Sequence, residues 1–364
     1  MAAPSIPNLL SMRGGDRGGR GVGGGRAAVV AASAGASPDA VIQDTDTDAA
    51  VSRLSAVQLG YLDDPYAECF VSGPPTRRLP IINRGTYVRT RALDMIITAF
   101  LSAPNEPGDK GPRQIVALGA GTDTRPFRLL ESHSPQELIY HEIDFEPTCR
   151  RKYQTVRTIP ALASRLEDVE VAESGSWSAR WRRGGEYHCH AVDLRHIHES
   201  LTPVMGAAIR TNVPTLILSE CCLCYLTHQN SERVLDLFQS RIARLAIAVY
   251  EPMPLDDSFG KVMMSNLKAR KIYMPSLERY RDPRGQEERL RDAGFETVGH
   301  ATIKDAWETW VDSQEKARLD ALEGLDEVEE WQLLAAHYVV AWGAKQTGFS
   351  DFGRRAMANM GGRM

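Results

Sequence analysis

Gln114-Ile115-Val116-Ala117-Leu118-Gly119-Ala120-Gly121-Thr122-Asp123-Thr124-Arg125 decides the fold. An apolar run stops at a Gly-x-Gly turn, and a helix-like segment over 126–130 follows. This is the pattern of an entry strand and first loop in a nucleotide-binding α/β domain. Paired glycines let the backbone pass close under a ligand where a Cβ would clash. Thr124 stands where a dinucleotide fingerprint has its third glycine, and no Gly-Lys-Ser/Thr ending holds phosphates. The loop therefore suits a nucleoside ligand without a pyrophosphate, of which S-adenosylmethionine is the common one.

Outward from this stretch, apolar runs alternate with helical patterns. Strands are expected at 115–118, 137–143, 187–192, 215–219 and 245–250. A late pair is expected at 295–298 and 335–342. Five alternating units and a late pair predict a class I S-adenosylmethionine-dependent methyltransferase fold. That fold is α/β, with a Rossmann-like seven-stranded sheet whose last strand runs antiparallel. Residues 159–186 are polar and read as an insertion, and a second, helical insertion is expected at 306–330. Residues 45–110 read as a helical cap, its first helix started by Asp46-Thr47-Asp48. The α/β core then spans 111–345. Residues 1–44 are rich in Gly, Arg and Ala and read as a disordered extension. Residues 346–364 read as a flexible tail.

The 364 residues carry a net charge of −4, with 43% hydrophobic and 25% charged residues. This balance gives no basic excess for nucleic acid, and no apolar run is long enough for a membrane span. A cytoplasmic monomer is expected. The six cysteines are few and irregular, and Cys221, Cys222 and Cys224 lack metal-ligand spacing. His188 and His190 share a strand face, and His196 and His198 follow it. None of these groups reads as a metal site.

In an open α/β sheet the ligand lies across the carboxyl ends of the strands. The acids just past the second, third and fourth strands are Asp144, Asp193 and Glu220. Asp144 suits two ribose hydroxyls. Asp193 suits an adenine amine, with Leu194 packing the ring, and Glu220 suits the amine of a methionine moiety. One such acid alone is ordinarily a cap or turn residue. Three in register behind a Gly-x-Gly point to a methyl-donor pocket.

Several stretches resemble the leucine carboxyl methyltransferases, which methylate the C-terminal leucine of the protein phosphatase 2A catalytic subunit. They are Leu59-Gly60-Tyr61, Asp64-Pro65-Tyr66, Ile82-Asn83-Arg84-Gly85-Thr86-Tyr87-Val88-Arg89, the Gly119 loop, Ala191-Val192-Asp193-Leu194-Arg195, Ser219-Glu220-Cys221 with Tyr225, Tyr250-Glu251-Pro252 and His337-Tyr338. The likeness runs in order from about residue 45 to 345. It implies that Arg89 binds the cofactor's carboxylate and that Gly119 lies under its methionine portion. It further assigns Asp144 to the ribose, Asp193 and Leu194 to the adenine, and Glu220 to the far side of the pocket. Arg53 stands where the family has a lysine and would keep that positive charge at the cofactor. The partner implied is the phosphatase catalytic subunit, through its C-terminal tail and its active-site face.

A C-terminal carboxylate has a pKa of about 3.5 and is ionised at neutral pH, so the reaction needs no general base. Carboxylate and sulfonium lose their charges together, so aim and dryness should supply the acceleration. Arg89, Arg195 and Tyr225 are the candidates to orient either carboxylate. Rival expectations are a carboxyl methyltransferase acting on a wybutosine transfer-RNA precursor or a small molecule, and an RNA-binding scaffold using the Arg-Gly tail. An NAD-dependent dehydrogenase is disfavoured by the missing third glycine.

Overall fold

A computed structural model describes residues 37–103, 111–132, 138–201, 203, 207–326 and 328–345. The Gly/Arg-rich tract and the tail at 346–364 lie outside the described residues.

One mixed sheet organises the chain. Its strands are β1 (Arg113–Leu118), β2 (Leu138–Asp144), β3 (Leu166–Val171), β4 (Trp177–Trp181), β5 (Glu186–Ala191), β6 (Thr215–Glu220), β7 (Leu245–Pro252), β8 (Thr297–Thr302) and β9 (Tyr338–Lys345). Their order is β3-β4-β5-β2-β1-β6-β7-β9-β8. β5, β2, β1, β6 and β7 pair in parallel, and β9 runs antiparallel between β7 and β8. The seven-stranded methyltransferase order is therefore present. β1 and β7 are buried throughout, as strands covered on both faces must be.

The segment at 159–186 corrects the expectation of an irregular insertion. It holds a hairpin, β3–β4, that extends the sheet past β5. Trp177, Ala179 and Trp181 alternate inward, whereas β3 buries only Leu166. Within the late pair, β8 and β9 each begin later than expected. Ala335 belongs to the preceding helix.

Helices cover both faces. α1 (Pro38–Gln58) and α2 (Pro80–Leu101) lie on one side with the late helices α8 (Ile303–Thr309), α9 (Ser313–Leu322) and α10 (Val328–Ala336). The other helices are α3 (Arg125–Ser132), α4 (Glu146–Thr158), α5 (His228–Arg241), α6 (Ser258–Ala269) and α7 (Pro283–Asp292), leaving shorter turns unlabelled. α1 also corrects an expected boundary. It starts at Pro38 with Ser37 as its N-cap, so residues 38–44 are helix and not extension. Asp46 and Asp48 imitate a cap in the sequence, but their carboxylates serve distant partners. Among the described residues no helix is long and apolar enough to cross a membrane.

Candidate functional site

The Gly119 loop leaves β1 with left-handed backbone at Gly119 (φ +58°) and Gly121 (φ +50°). Both positions exclude a side chain. A Cβ at Gly119 would stand 2.6 Å from Cys222 Sγ, and one at Gly121 would stand 2.2 Å from Asp46 Oδ1. Asp46 comes from α1 and accepts the Thr122 amide and hydroxyl. From below, Lys152 Nζ donates to Asp123 O at 2.9 Å while pairing with buried Glu142 at 2.6 Å. The loop is thus fixed from above and beneath.

Around it lies one cavity at the carboxyl ends of β1, β2, β5 and β6. Arg53, Arg89, Gly119, Asp144, Asp193, Leu194, Arg195, Glu220 and Tyr225 all line it. Sequence reasoning found these residues from strand ends and motif likeness, and the fold brings them together. It missed the roof. Asp39, Ile42, Gln43, Thr45, Asp46, Ala49, Ala50 and Ser52 of α1 also line the cavity, ahead of the expected Arg53. The recurrence of 39, 42, 46, 49 and 53 at steps of three and four is the signal that could have shown this.

Each acid has a defined setting. Asp144 accepts the Gly121 amide at 2.8 Å and the Phe145 amide at 2.7 Å. Its pKa is raised by burial, against the pull of those two donors. Asp193 sits three strand spacings from Glu220 along β5-β2-β1-β6, about 14 Å across the sheet. Glu220 is anchored between Arg89 Nε and Arg125, whose Nη1 lies 3.0 Å away. Burial would raise the Glu220 pKa, but the two guanidinium groups outweigh it and hold the carboxyl ionised well below its usual range.

Arg89 has its Nε committed to Glu220 and its guanidinium over Tyr250, 4.8 Å from the ring centroid. Its two terminal nitrogens make no hydrogen bond among the described residues, so its fork remains open at the cavity. Arg53 is similar. Nε goes to Asp64 and Nη1 to Thr90 Oγ1, but Nη2 is buried without a partner.

The expectation that Arg195 orients a reacting carboxylate is not supported. Its guanidinium chelates Asp39 at 2.9 and 2.8 Å and also bonds Asp193. It belongs to the β5 end of the cavity, across the sheet from Arg89. There it ties Asp39 of α1 to Asp193. Tyr225 remains a candidate, since its buried hydroxyl lacks a bonded partner by hydrogen-bond geometry. Thr45 neighbours it, and the Thr45 hydroxyl proton goes to Ile42 O at 2.6 Å.

The cavity also contains Cys221, held in left-handed backbone (φ +52°) at the β6 end. Burial pushes its thiol up to about 12. It stays protonated and does not compete as a nucleophile. Among the described residues no three His, Cys, Asp or Glu side chains converge on a metal position.

This donor set fits a nucleoside bearing a zwitterionic tail. Acids stand where hydroxyls and an amine need acceptors. Arg89, beside Glu220, and Arg53 keep unclaimed N–H groups of the kind a carboxylate needs. The loop admits a sugar close to backbone and gives no phosphate cradle.

The family model "Leucine carboxyl methyltransferase" matches residues 26–239. Leucine carboxyl methyltransferase 1 of Emericella nidulans is 43% identical, covering 97% of this chain and 98% of its own length. Human tRNA wybutosine-synthesizing protein 4 is 31% identical over 82% of this chain, but the match spans only 43% of that protein. Among solved structures, magnesium protoporphyrin IX methyltransferase from Synechocystis covers 77% of this chain and 93% of its own, with a TM-score of 0.40 and 9% identity. The chain belongs to the leucine carboxyl methyltransferase family.

Proposed function

We propose that this member of the leucine carboxyl methyltransferase family methylates the C-terminal leucine of the protein phosphatase 2A catalytic subunit. The methyl donor is S-adenosylmethionine and the product is an α-carboxyl methyl ester. The observation that carries the proposal is Arg89, anchored through Nε by Glu220 with its two terminal donors open to the cavity. Near-full-length identity to a leucine carboxyl methyltransferase supports the substrate class.

S-adenosylmethionine supplies an electrophilic methyl group when bound. Asp144 accepts from the ribose hydroxyls. Asp193 and Leu194 take the adenine, and Arg53 and Arg89 face the methionine carboxylate. The Tyr225 hydroxyl orients the incoming carboxylate. That carboxylate is already ionised, so no side chain has to remove a proton. The protein's contribution is alignment in a site roofed by α1, where water is excluded as opposite charges are consumed.

The test is transfer of labelled methyl from S-adenosylmethionine to the phosphatase catalytic subunit, with and without its terminal leucine. Label that depends on the leucine is expected. Equal labelling of both forms would refute the substrate assignment, and label on transfer RNA instead would favour the wybutosine alternative.

A further inference from the structure

At the β5 end of the cavity one arginine grips two acids. The Arg195 backbone N–H and its Nε both donate to Asp193 Oδ1 at 2.9 Å, and Nη2 donates to Oδ2 at 2.6 Å. Nε also lies 3.0 Å from Oδ2, so its proton is shared between the two oxygens. The far edge of the guanidinium meets the Asp39 carboxylate of α1, Nη1 at 2.9 Å and Nη2 at 2.8 Å. The guanidinium carbon lies over the Phe145 ring, 5.5 Å from its centroid. Asp39, Phe145, Asp193 and Arg195 all line the cavity. Asp193 keeps 27% of its side chain exposed, so a ligand in the cavity reaches it.

An ionised carboxylate offers about four lone-pair sites. On Asp193, Arg195 takes two at Oδ1 and one at Oδ2. One acceptor direction is left, at Oδ2. Burial would raise the Asp193 pKa, but the Arg195 bonds outweigh it and hold the carboxyl ionised below its usual range. The remaining site therefore accepts and cannot donate. It suits an N–H group and repels a carbonyl oxygen. Purines differ in that respect, since a 6-amino group donates where a 6-oxo group accepts. The Arg195–Asp39 pair is partly exposed, and such pairs add little to stability, so its value lies in aim.

We propose that Arg195 is a positioning residue for base recognition. It locks Asp193 so that the one free acceptor direction meets the 6-amino group of the donor's adenine, while Asp39 closes α1 over that end. This rests on the assignment of Asp193 to the adenine above. It adds that Arg195, through Asp193, sets the choice between amino and oxo purines.

The test is calorimetric binding of S-adenosylhomocysteine and of S-inosylhomocysteine, whose base is 6-oxo, to wild type, Arg195→Gln, Arg195→Lys and Asp39→Ala. Wild type is expected to favour the amino ligand by at least about a hundredfold, as a site built to receive an N–H rejects a ligand lacking it. Arg195→Gln frees Asp193 to turn, so the preference should shrink to under about tenfold while the melting temperature stays close to that of wild type. Arg195→Lys cannot grip both oxygens with a fork and should fall between the two. Asp39→Ala keeps the chelate on Asp193, so both ligands should weaken by the same factor and the preference should persist. Loss of preference in Asp39→Ala as large as in Arg195→Gln would overturn the proposal, because control would then lie in the closure of α1. Wild type that binds the two ligands equally removes Asp193 from the adenine amine, and this inference with it. Wild type that discriminates beside an equally discriminating Arg195→Gln removes this inference alone, even if both affinities fall.

Discussion

Asp46 of α1 accepts both the amide (2.8 Å) and the hydroxyl (2.7 Å) of Thr122 in the glycine loop. The contact matters because the first half of α1 has little else to hold it. None of residues 38–49 is buried, and apolar burial begins at Ala50. Polar ties at Asp39, Asp46 and Asp48 therefore set the roof of the cavity. Asp46→Ala removes two bonds to a charged acceptor, each worth about 1.5–3 kcal/mol in a partly buried setting. S-adenosylmethionine affinity should fall at least tenfold by calorimetry, while the melting temperature moves only slightly because the embedded half of the helix is untouched. Unchanged affinity would show that α1 does not shape the bound state.

Arg89 makes a sharper claim on charge geometry. Arg89→Lys keeps a cation near Glu220 but cannot anchor through one nitrogen and present two others. Loss of a charge-assisted bond of about 1.5–3 kcal/mol corresponds to a ten- to hundredfold weaker donor Kd. Arg89→Ala should be worse, since Glu220 would retain only Arg125 in a buried setting. Equilibrium titration checks both, and equal affinity for wild type and Arg89→Lys would remove Arg89 from carboxylate binding.

What the sequence reveals follows from how local each determinant is. The glycine loop and the acids at Asp144, Asp193 and Glu220 are legible because strand ends fix them by backbone position alone. The roof is not, since Asp46-Thr47-Asp48 has the composition of a helix cap and only the folded chain shows Thr122 and Arg270 as its partners. β3 escapes notice because five of its six residues face solvent and leave no alternation. Arg195 misleads for a related reason. It follows the motif acid directly, yet its partner Asp39 lies 156 residues away, in a helix the sequence assigns to the extension.

Stability should also depend on pH through a histidine stack that the chemistry does not use. His141 Nδ1 meets His190 Nε2 at 3.0 Å, and His141 Nε2 meets Gln114 Oε1 at 3.2 Å. Gln114 Oε1 also accepts the Arg210 amide, so it is the acceptor and His141 carries its proton on Nε2. His141 Nδ1 must then accept from His190, and a second proton on His141 would set two donors against each other. Burial and the His188 charge lower His190 to about 3, and burial with the neighbouring histidines lowers His141 as well. The unfolded chain therefore binds more protons than the folded one between about 3 and the ordinary value of 6.5. The His190 contribution is complete above 6.5 and is lost as pH falls through that window, at up to about 1.4 kcal/mol per pH unit, and His141 acts in the same direction. Glu142, raised by burial to about 7, opposes this slope above its ordinary 4.5. The measurement is therefore a difference. Denaturant unfolding of His190→Gln should show a shallower loss of stability than wild type from pH 6.5 to 5, and parallel slopes would remove the stack from the account.

Asn83 explains why the Asn-Arg-Gly element is specific although it does not line the cavity. Its side-chain amide donates to buried Glu323 at 2.9 Å and to Arg78 O at 3.1 Å, while its oxygen accepts from Ser55 at 2.8 Å. The next residue, Arg84, lies 4.7 Å from the Trp307 ring centroid and bonds Asp320 at 2.5 Å. Together they fasten α1 and α2 to the late helices. Asn83→Asp keeps the shape but sets a carboxylate against Glu323 in a dry site. Removing the donor and adding a like charge should cost about 3 kcal/mol or more. A melting temperature lower by several degrees is expected, together with faster proteolysis between 303 and 336. Asn83→Gln, which retains both groups on a longer stem, should lose less. Equal stability of Asn83→Asp and wild type would mean that the late helices dock by apolar packing alone.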